Sequence, residues 1–191
     1  MVRFLRETLE VVVLALLLFL GLQASVQNYR VEGSSMEPTL ENGEYLLVNK
    51  LGYMHFDLAR VEAVLPGVMD GRASTSYLLH PPQRGDVIVF HAPPDPDRDF
   101  VKRVIALPGE TVVVRRGQVY VNGVLLPDSY QVAGTFDSTE PYTVPPNRYF
   151  VMGDNRNHSN DSRHWGPVPA ENIVGRVWFT YWPRDRISFL P

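Results

Sequence analysis

The distribution of proline and glycine limits what this chain can fold into more than any other feature. After residue 30 these two residues recur so often that no apolar pattern of helical period continues long enough for a substantial helix. The apolar stretches between them are short and rich in β-branched residues, and seven are bounded by turn residues: Glu44–Asn49, Asp86–Phe90, Phe100–Leu107, Thr111–Val114, Val119–Val121, Tyr149–Met152 and Ile173–Trp182. This pattern predicts a mainly β fold, with an all-β domain over residues 28–191.

A small meander is predicted within this domain. Turns at Arg116-Gly117 and Asn122-Gly123 separate short strands between residues 112 and 126, and Asn-Gly favours a two-residue hairpin turn. We expect the meander to belong to an insertion of about residues 111–148, whose second half is polar, rich in proline and predicted as loop. Residues 52–83 mix glycine, proline, histidine and apolar residues, and we interpret them only as a candidate insertion.

An apolar segment precedes the β domain. Every residue from Val11 to Leu22 is apolar or glycine. The stretch from Leu9 to Val26 would span roughly 27 Å as a helix at ~1.5 Å per residue, close to the ~30 Å hydrocarbon core of a bilayer. We therefore predict that residues 1–27 form a short tail and a single transmembrane anchor helix in the cell membrane.

The charges around this segment predict its orientation. Arg3 and Arg6 precede it, so by the positive-inside tendency the amino terminus is cytoplasmic and residues 28–191 are extracytoplasmic. A cleaved signal peptide is the alternative, with Leu22-Gln23-Ala24 as a loose match to a cleavage site.

Charge and cysteine content exclude several classes of function. The 18 Lys and Arg residues against 21 Asp and Glu residues give a formal charge of −3. The chain therefore lacks the basic excess with which nucleic-acid-binding proteins neutralise phosphates, and no nucleic-acid partner is expected. It also contains no cysteine, which excludes a disulfide scaffold, a Cys-ligated zinc site and a cysteine nucleophile.

Two serines follow the apolar segment on a turn flanked by Gly33. Ser34, with Glu37 three residues later, fits a helix capping box, which is a purely structural interpretation. A serine on a tight, glycine-flanked turn also exposes its hydroxyl, and a neighbouring backbone N–H can face an oxyanion. Both interpretations remain open from the pattern alone.

A serine nucleophile needs a base, and Lys102 is a candidate. Period-two alternation puts Lys102 on one face of its strand and Arg103 on the other, so one of the two cations must face apolar surroundings. Arginine stays protonated, whereas burial of a lysine without a carboxylate partner lowers its pKa and gives a neutral amine. The structural alternative is an edge strand whose lysine extends into water.

A polar cluster follows the predicted strand Tyr149–Met152. Residues 153–166 are mostly Asp, Asn, Arg, His and Ser, but they lack the ligand spacing of an EF-hand or an HExxH motif, so no metal is predicted. We expect a loop stiffened by Asp–Arg pairs and Asx-turns. Such a loop would be rigid enough to hold a catalytic amine in place.

Four sequence boxes occur in order behind the apolar segment: Gly33–Leu40, Arg84–Phe90, Val101–Glu110 and Gly153–Arg163, the last followed by Trp165–Pro169. Together they resemble the bacterial type I signal peptidases, and the match covers the anchor and most of residues 28–110 and 147–182. The resemblance implies a membrane-bound serine endopeptidase with a Ser/Lys dyad and no cofactor. Such an enzyme removes signal peptides from exported preproteins after small residues, in A-x-A sites.

The resemblance also implies roles for individual residues. Ser35 is the nucleophile and its backbone N–H an oxyanion donor, Lys102 is the general base, and Ser159 hydrogen-bonds the lysine amine. Four residues support the site structurally: Asp154, Arg156, Asp161 and Arg163. The substrate is expected to bind as an extended strand at seven positions: Tyr29, Val31, Gly33, Met36, Leu40, Phe100 and Val101.

One position departs from part of the family. Proteobacterial members carry a serine where this chain has Gly33, so the second oxyanion donor is not identified. The single predicted span and the small meander resemble the smaller members.

The resemblance implies partners as well. The expected ones are preprotein signal peptides and the lipid bilayer, with a secretion translocon as a further candidate.

Three other functions remain open from the sequence: a self-cleaving Ser/Lys peptidase related to SOS-type repressors, a Ser/His peptidase with His91 as base, and an anchored β domain that only binds peptides.

Overall fold

The computed structural model describes residues 2–53, 55–56, 76–77, 80–127 and 138–190. Most of the candidate insertion at 52–83 and part of the predicted loop at 127–148 lie outside these ranges. The helices are α1 (Val2–Ser25) and α2 (Ser162–Trp165). The strands are β1 Val26–Arg30, β2 Tyr45–Asn49, β3 His55–Phe56, β4 Ser76–Tyr77, β5 Val87–Ala92, β6 Asp95–Ala106, β7 Thr111–Arg115, β8 Gln118–Val121, β9 Val124–Leu125, β10 Tyr142–Thr143, β11 Arg148–Met152, β12 Val168–Pro169, β13 Ile173–Trp182 and β14 Ser188–Phe189. The 3-10 turns are Leu51–Tyr53, Arg156–His158, Ala170–Asn172 and Arg184–Arg186.

Antiparallel pairing joins most of these strands into one large sheet. Its order is β1-β2-β13-β5-β6-β11-β12, and β14 also pairs with β13. A four-stranded sheet has the order β10-β7-β8-β9, and β3 pairs with β4. All seven predicted apolar runs are strands, so the prediction of a mainly β fold is confirmed.

The central strand β5 is covered on both faces. Val87 and Val89 pack into one hydrophobic cluster, whereas Ile88 and Phe90 pack into another. Because successive side chains of a strand point to opposite faces, both sets are removed from water. This double burial explains why the run is continuously apolar and does not alternate with polar residues.

β1 and β6 are among the strands that keep an unpaired edge in the described part of the chain. β1 pairs only with β2. β6 pairs with β5 along most of its length, but β11 covers its other side only from Arg103 to Ala106. Residues 99–101 of β6 and the whole of β1 therefore keep backbone groups available for another strand.

The predicted meander is present in the four-stranded sheet. Its two turns have the left-handed backbone that two-residue hairpin turns require, with φ of 49° at Arg116 and 79° at Gly117, and 51° at Asn122 and 80° at Gly123. One hydrophobic cluster packs this sheet against β6 and β11 of the large sheet. Its buried members are Ile105, Ala106, Val112, Val114, Val119, Val121, Val144, Phe150 and Met152.

The amino-terminal helix α1 extends through the predicted apolar segment and ends at Ser25, directly before β1. Its apolar side chains are exposed, from 45% at Val13 to 73% at Phe4. Within the ranges given above, no helix is long and apolar enough to cross a membrane. The transmembrane anchor is therefore not confirmed and remains a prediction.

Gly175 of β13 lies against the end of β2, and a Cβ there would collide with the carbonyl oxygen of Asn49. We expect Gly175→Ala to lower the free energy of unfolding by about 1–3 kcal/mol because this backbone contact cannot yield without shifting a strand. Chemical denaturation measures the loss. Gly52→Ala is the control, since its Cβ would approach nothing closer than 3.9 Å and should change stability by less than ~0.5 kcal/mol. Equal stability of the two variants would contradict this explanation.

Candidate active site

Ser35 lies on the turn that follows β1. The turn is closed by backbone hydrogen bonds from Glu37 N–H to Ser34 O at 3.2 Å and from Leu40 N–H to Met36 O at 3.0 Å. Met36 and Leu40 are fully buried in the core. Because these two side chains anchor the turn in the core, they hold the half-buried Ser35 at the surface of the domain.

The Lys102 amine is next to the Ser35 hydroxyl. Lys102 Nζ lies 2.7 Å from Ser35 Oγ and donates to the carbonyl oxygen of Val101 at 2.9 Å. The residue is 4% exposed, and Nζ lies 5.3 Å from the centre of the Phe100 ring. Burial lowers the pKa of Lys102 from 10.5 to about 8, although the charges of Asp161 and Asp154 act in the opposite direction.

The neighbouring Arg103 is also buried, which the alternation argument did not anticipate. Its guanidinium forms a two-point ion pair with Asp154, with Nε–Oδ1 2.9 Å and Nη2–Oδ2 2.7 Å, and it donates to Gly85 O at 2.7 Å. Thr39 Oγ1 donates to the same carboxylate at 2.6 Å. Asp154 thus connects β6 to the turn that carries the serine.

A second ion pair lies within the polar cluster. Arg163 binds both carboxylate oxygens of Asp161 at 2.9 Å, and Gly153 N–H donates to Asp161 Oδ2 at 3.0 Å. Burial alone would raise the pKa of Asp161, but the Arg163 guanidinium holds it below its usual value. Arg156 is buried and donates from Nε to Gly153 O at 3.1 Å. The Asp–Arg pairing expected for this loop is therefore present.

The structure does not show the expected hydrogen bond between Ser159 and the Lys102 amine. The two hydrogen bonds of the amine go to Ser35 Oγ and Val101 O. Ser159 is buried, with its side chain against the backbone of Gly153, where a Cβ would collide with both Ser159 Oγ and Ser35 O. Gly153 therefore packs against both the Ser159 side chain and the backbone of the serine turn.

An open cleft of about 420 Å³ lies at Ser35 and Lys102. Its two walls are the free edges already described, residues 29–32 at the end of β1 and residues 98–102 of β6. Leu46, Val89 and Asn160 complete the lining. No local sequence pattern pointed to these three residues because they come from separate elements. Burial and the nearby Asp99 carboxylate raise the pKa of Tyr29, so its hydroxyl stays protonated.

Four of the seven expected substrate positions line this cleft, and three do not. The four are Tyr29, Val31, Phe100 and Val101. Met36 and Leu40 are buried in the cluster that also contains Val31, Leu46 and Val89, so they pack behind the cleft wall. Gly33 is absent from the lining as well, and its N–H donates to Asn42 Oδ1 at 2.9 Å.

His91, the alternative base, is not among the residues that line the cleft. Its Nδ1 lies 2.7 Å from Asp99 Oδ1, and its side chain is 51% exposed. Across the described ranges, no three histidine or acidic side chains converge as a metal site would require. The arrangement therefore places a serine hydroxyl and a buried amine together at a cleft between two strand edges.

Comparison with known proteins finds a matching family and several relatives. The family model described as signal peptidase, peptidase S26, matches residues 5–182. A probable signal peptidase I-1 of Synechocystis is 39% identical over 192 residues, covering 96% of this chain and 86% of the relative. A signal peptidase I of Bacillus caldolyticus is 39% identical over 176 residues, covering 85% and 82%. A crystal structure of a signal peptidase I from Enterococcus faecalis has 37% identity and a TM-score of 0.44, covering 51% of this chain and 97% of that one.

These matches define the class of the protein as a serine endopeptidase. The chain belongs to the signal peptidase family, peptidase S26.

The Arg103–Asp154 pair gives a prediction for stability. Both side chains are 1% exposed, so Asp154→Asn would leave a buried guanidinium without this countercharge. We expect a loss of about 3–5 kcal/mol in the free energy of unfolding, measured by chemical denaturation. Glu41→Gln is the control, because the Arg186–Glu41 pair is 34% and 52% exposed and should contribute no more than ~1 kcal/mol. If Asp154→Asn lowers the free energy of unfolding no more than the control does, the buried ion pair does not stabilise the fold.

Proposed function

We propose that this protein is a signal peptidase I that cleaves signal peptides from exported preproteins with a Ser35/Lys102 dyad. The observation that carries the proposal is the 2.7 Å distance from Ser35 Oγ to a lysine amine that is 4% exposed. A serine hydroxyl is a weak nucleophile unless a base lies within hydrogen-bond reach. With its pKa lowered to about 8, Lys102 is neutral in part of the molecules near neutral pH and can act as that base.

The reaction follows from this pair. Ser35 Oγ attacks the scissile carbonyl carbon while its proton moves to Lys102 Nζ. The C–N bond then breaks, and the leaving amine takes the proton from Lys102, which returns to its neutral form. Water attacks the carbonyl carbon of the resulting ester while Lys102 accepts its proton. The C–O bond to Ser35 then breaks, Ser35 Oγ takes the proton back from Lys102, and the acid product leaves.

The tetrahedral intermediate needs a hydrogen-bond donor for its oxyanion, and we assign this role to the backbone N–H of Ser35. In the described part of the chain this N–H donates to no protein acceptor. Gly33 has no side chain to supply a second donor, and its own N–H is bound to Asn42.

The substrate would bind as an extended strand between β1 and β6. Both strands have free edges along the cleft, so an extended peptide can pair with their backbone groups. Val31, Leu46 and Val89 present apolar surface there. We infer that this surface accepts the small side chains that precede the cleavage site.

We further propose that α1 attaches the domain to the cell membrane, with the amino terminus in the cytoplasm and the cleft outside. The support is the exposed apolar surface of α1 and the two arginines before it. Ser35 follows Val26 by nine residues, so at most ~30 Å of extended chain separates it from the end of the apolar segment. A membrane-inserted signal peptide would present its cleavage site at a similar height. A secretion translocon that delivers the preprotein is a further candidate partner.

The dyad is tested by incubating a secretory precursor with the full-length protein and with Ser35→Ala and Lys102→Met. We expect one cut after a small residue, identified by product mass, and a loss of at least about 10³-fold in rate in both variants because nucleophile and base act together. Lys50→Met is the control for loss of a lysine. Activity in Ser35→Ala would disprove the role of Ser35 as nucleophile. Activity in Lys102→Met but not in Ser35→Ala would exclude Lys102 as the base and leave the histidines as candidates. An inactive but folded wild-type protein would favour the peptide-binding alternative.

The orientation of α1 is tested with single cysteines, which the cysteine-free chain makes unambiguous. We expect a membrane-impermeant maleimide to label Gln27→Cys in intact cells and Phe4→Cys only after permeabilisation, with both arginines that predict the orientation kept. Both native side chains are exposed. Labelling of both variants in intact cells, or recovery of the protein without membranes, would contradict the anchor.

A further inference from the structure

Asn155 makes two hydrogen bonds to the serine turn. Neither the family resemblance nor the proposed mechanism assigns this residue a role. Its backbone N–H donates to Ser35 O at 3.0 Å. Its side-chain Nδ2 donates to Ser34 O at 3.1 Å. Two consecutive carbonyl groups of the turn are therefore held by one residue of the polar loop.

The second of these bonds fixes the direction of the oxyanion donor. The carbonyl of Ser34 and the N–H of Ser35 belong to one peptide group, which is planar and trans, so the two bonds point in opposite directions. A donor that holds Ser34 O on the side of the loop therefore turns the Ser35 N–H away from it. A flip of this peptide would present a carbonyl oxygen where the oxyanion needs a donor.

We propose that Asn155 is a positioning residue, whose side-chain amide holds the Ser34–Ser35 peptide so that the Ser35 N–H faces the reacting carbonyl. This inference rests on the proposed function of Ser35. Asn155 follows Asp154, which the buried Arg103 fixes to β6. Ser34 O also accepts from Glu37 N–H, but that bond lies within the turn and moves with it.

His158 orients the amide of Asn155. Its Nδ1 lies 3.1 Å from Asn155 Oδ1, and since this oxygen can only accept, Nδ1–H is the donor. The two residues also join through the backbone, where His158 N–H donates to Asn155 O at 3.0 Å. With Oδ1 engaged by His158, Nδ2 is the group left to face Ser34 O. The geometry thus forms a chain from an exposed histidine through Asn155 to the oxyanion donor.

The test compares Asn155→Ala, His158→Ala and Asn157→Ala in the full-length protein. Asn157 is an exposed neighbour in the same loop and serves as the control. Each variant is assayed with a precursor peptide for kcat, KM and the pH dependence of kcat/KM. The inhibition constant of a peptide aldehyde with a small terminal side chain is also measured. The aldehyde adds to the serine hydroxyl, and the resulting hemiacetal oxygen occupies the oxyanion position, so its affinity reports on the donor.

We expect Asn155→Ala to lower kcat by about ten- to a hundredfold, since the donor is misdirected and not deleted. KM should stay within about twofold, and the inhibition constant of the aldehyde should rise in parallel with the loss of kcat. The apparent pKa of the rate profile should not change, because Lys102 keeps its surroundings. His158→Ala should give a smaller change in the same direction, and Asn157→Ala should match the wild type.

Normal kcat and aldehyde affinity in Asn155→Ala would overturn the proposal, as would a loss of kcat with unchanged aldehyde affinity. If Asn155→Ala fails to fold, His158→Ala decides, and wild-type kcat and aldehyde affinity in that variant would overturn it. Ser35→Ala is run in the same assay. Activity in that variant would refute the proposed nucleophile, whereas an inactive Ser35→Ala beside a fully active Asn155→Ala would refute only the role of Asn155.

Discussion

Removal of the Lys102 amine from water is the interaction on which the candidate site depends. Burial is the cause of its lowered pKa, and the two nearby carboxylates, Asp154 and Asp161, act against it. Each carboxylate is itself paired with an arginine, Arg103 and Arg163 respectively. We infer that these ion pairs serve the amine, because an unpaired carboxylate at the same distance would favour the charged lysine. The two arginines and the buried lysine thus belong to one electrostatic arrangement.

The fold brings these groups together from three parts of the chain. The serine turn is anchored in the core by Met36 and Leu40, and β6 supplies the amine of Lys102, a residue that is 4% exposed. The loop after β11 contacts both, through Asp154 to β6 and through Asn155 to the turn. The same sheet leaves one edge of β1 and part of one edge of β6 without a partner strand. The proposed pair of Ser35 and Lys102 therefore lies between two edges that can accept an extended peptide.

Much of the fold could be predicted from the sequence because local patterns determine it. The β-branched runs gave the seven main strands, and Asn122-Gly123 gave a hairpin turn. β1 was missed because its sequence, VQNYR, has no apolar alternation and its pairing with β2 depends on distant residues. Alternation predicted one buried cation in β6, but two are buried because Asp154 supplies a partner 51 residues away. The contacts of Asn155 and the position of Ser159 likewise depend on the tertiary fold, and no local pattern encodes them.

The protonation of Lys102 tests the central claim most directly. The chain has only two lysines, so in Lys50→Arg protein labelled with ¹⁵N-lysine the single side-chain signal belongs to Lys102. The signal is followed by NMR as the pH is raised. We expect it to titrate near pH 8, since burial lowers the pKa of this amine from 10.5 to about 8. A midpoint at or above 10.5 would show that the amine stays charged at neutral pH, and would contradict its role as the base.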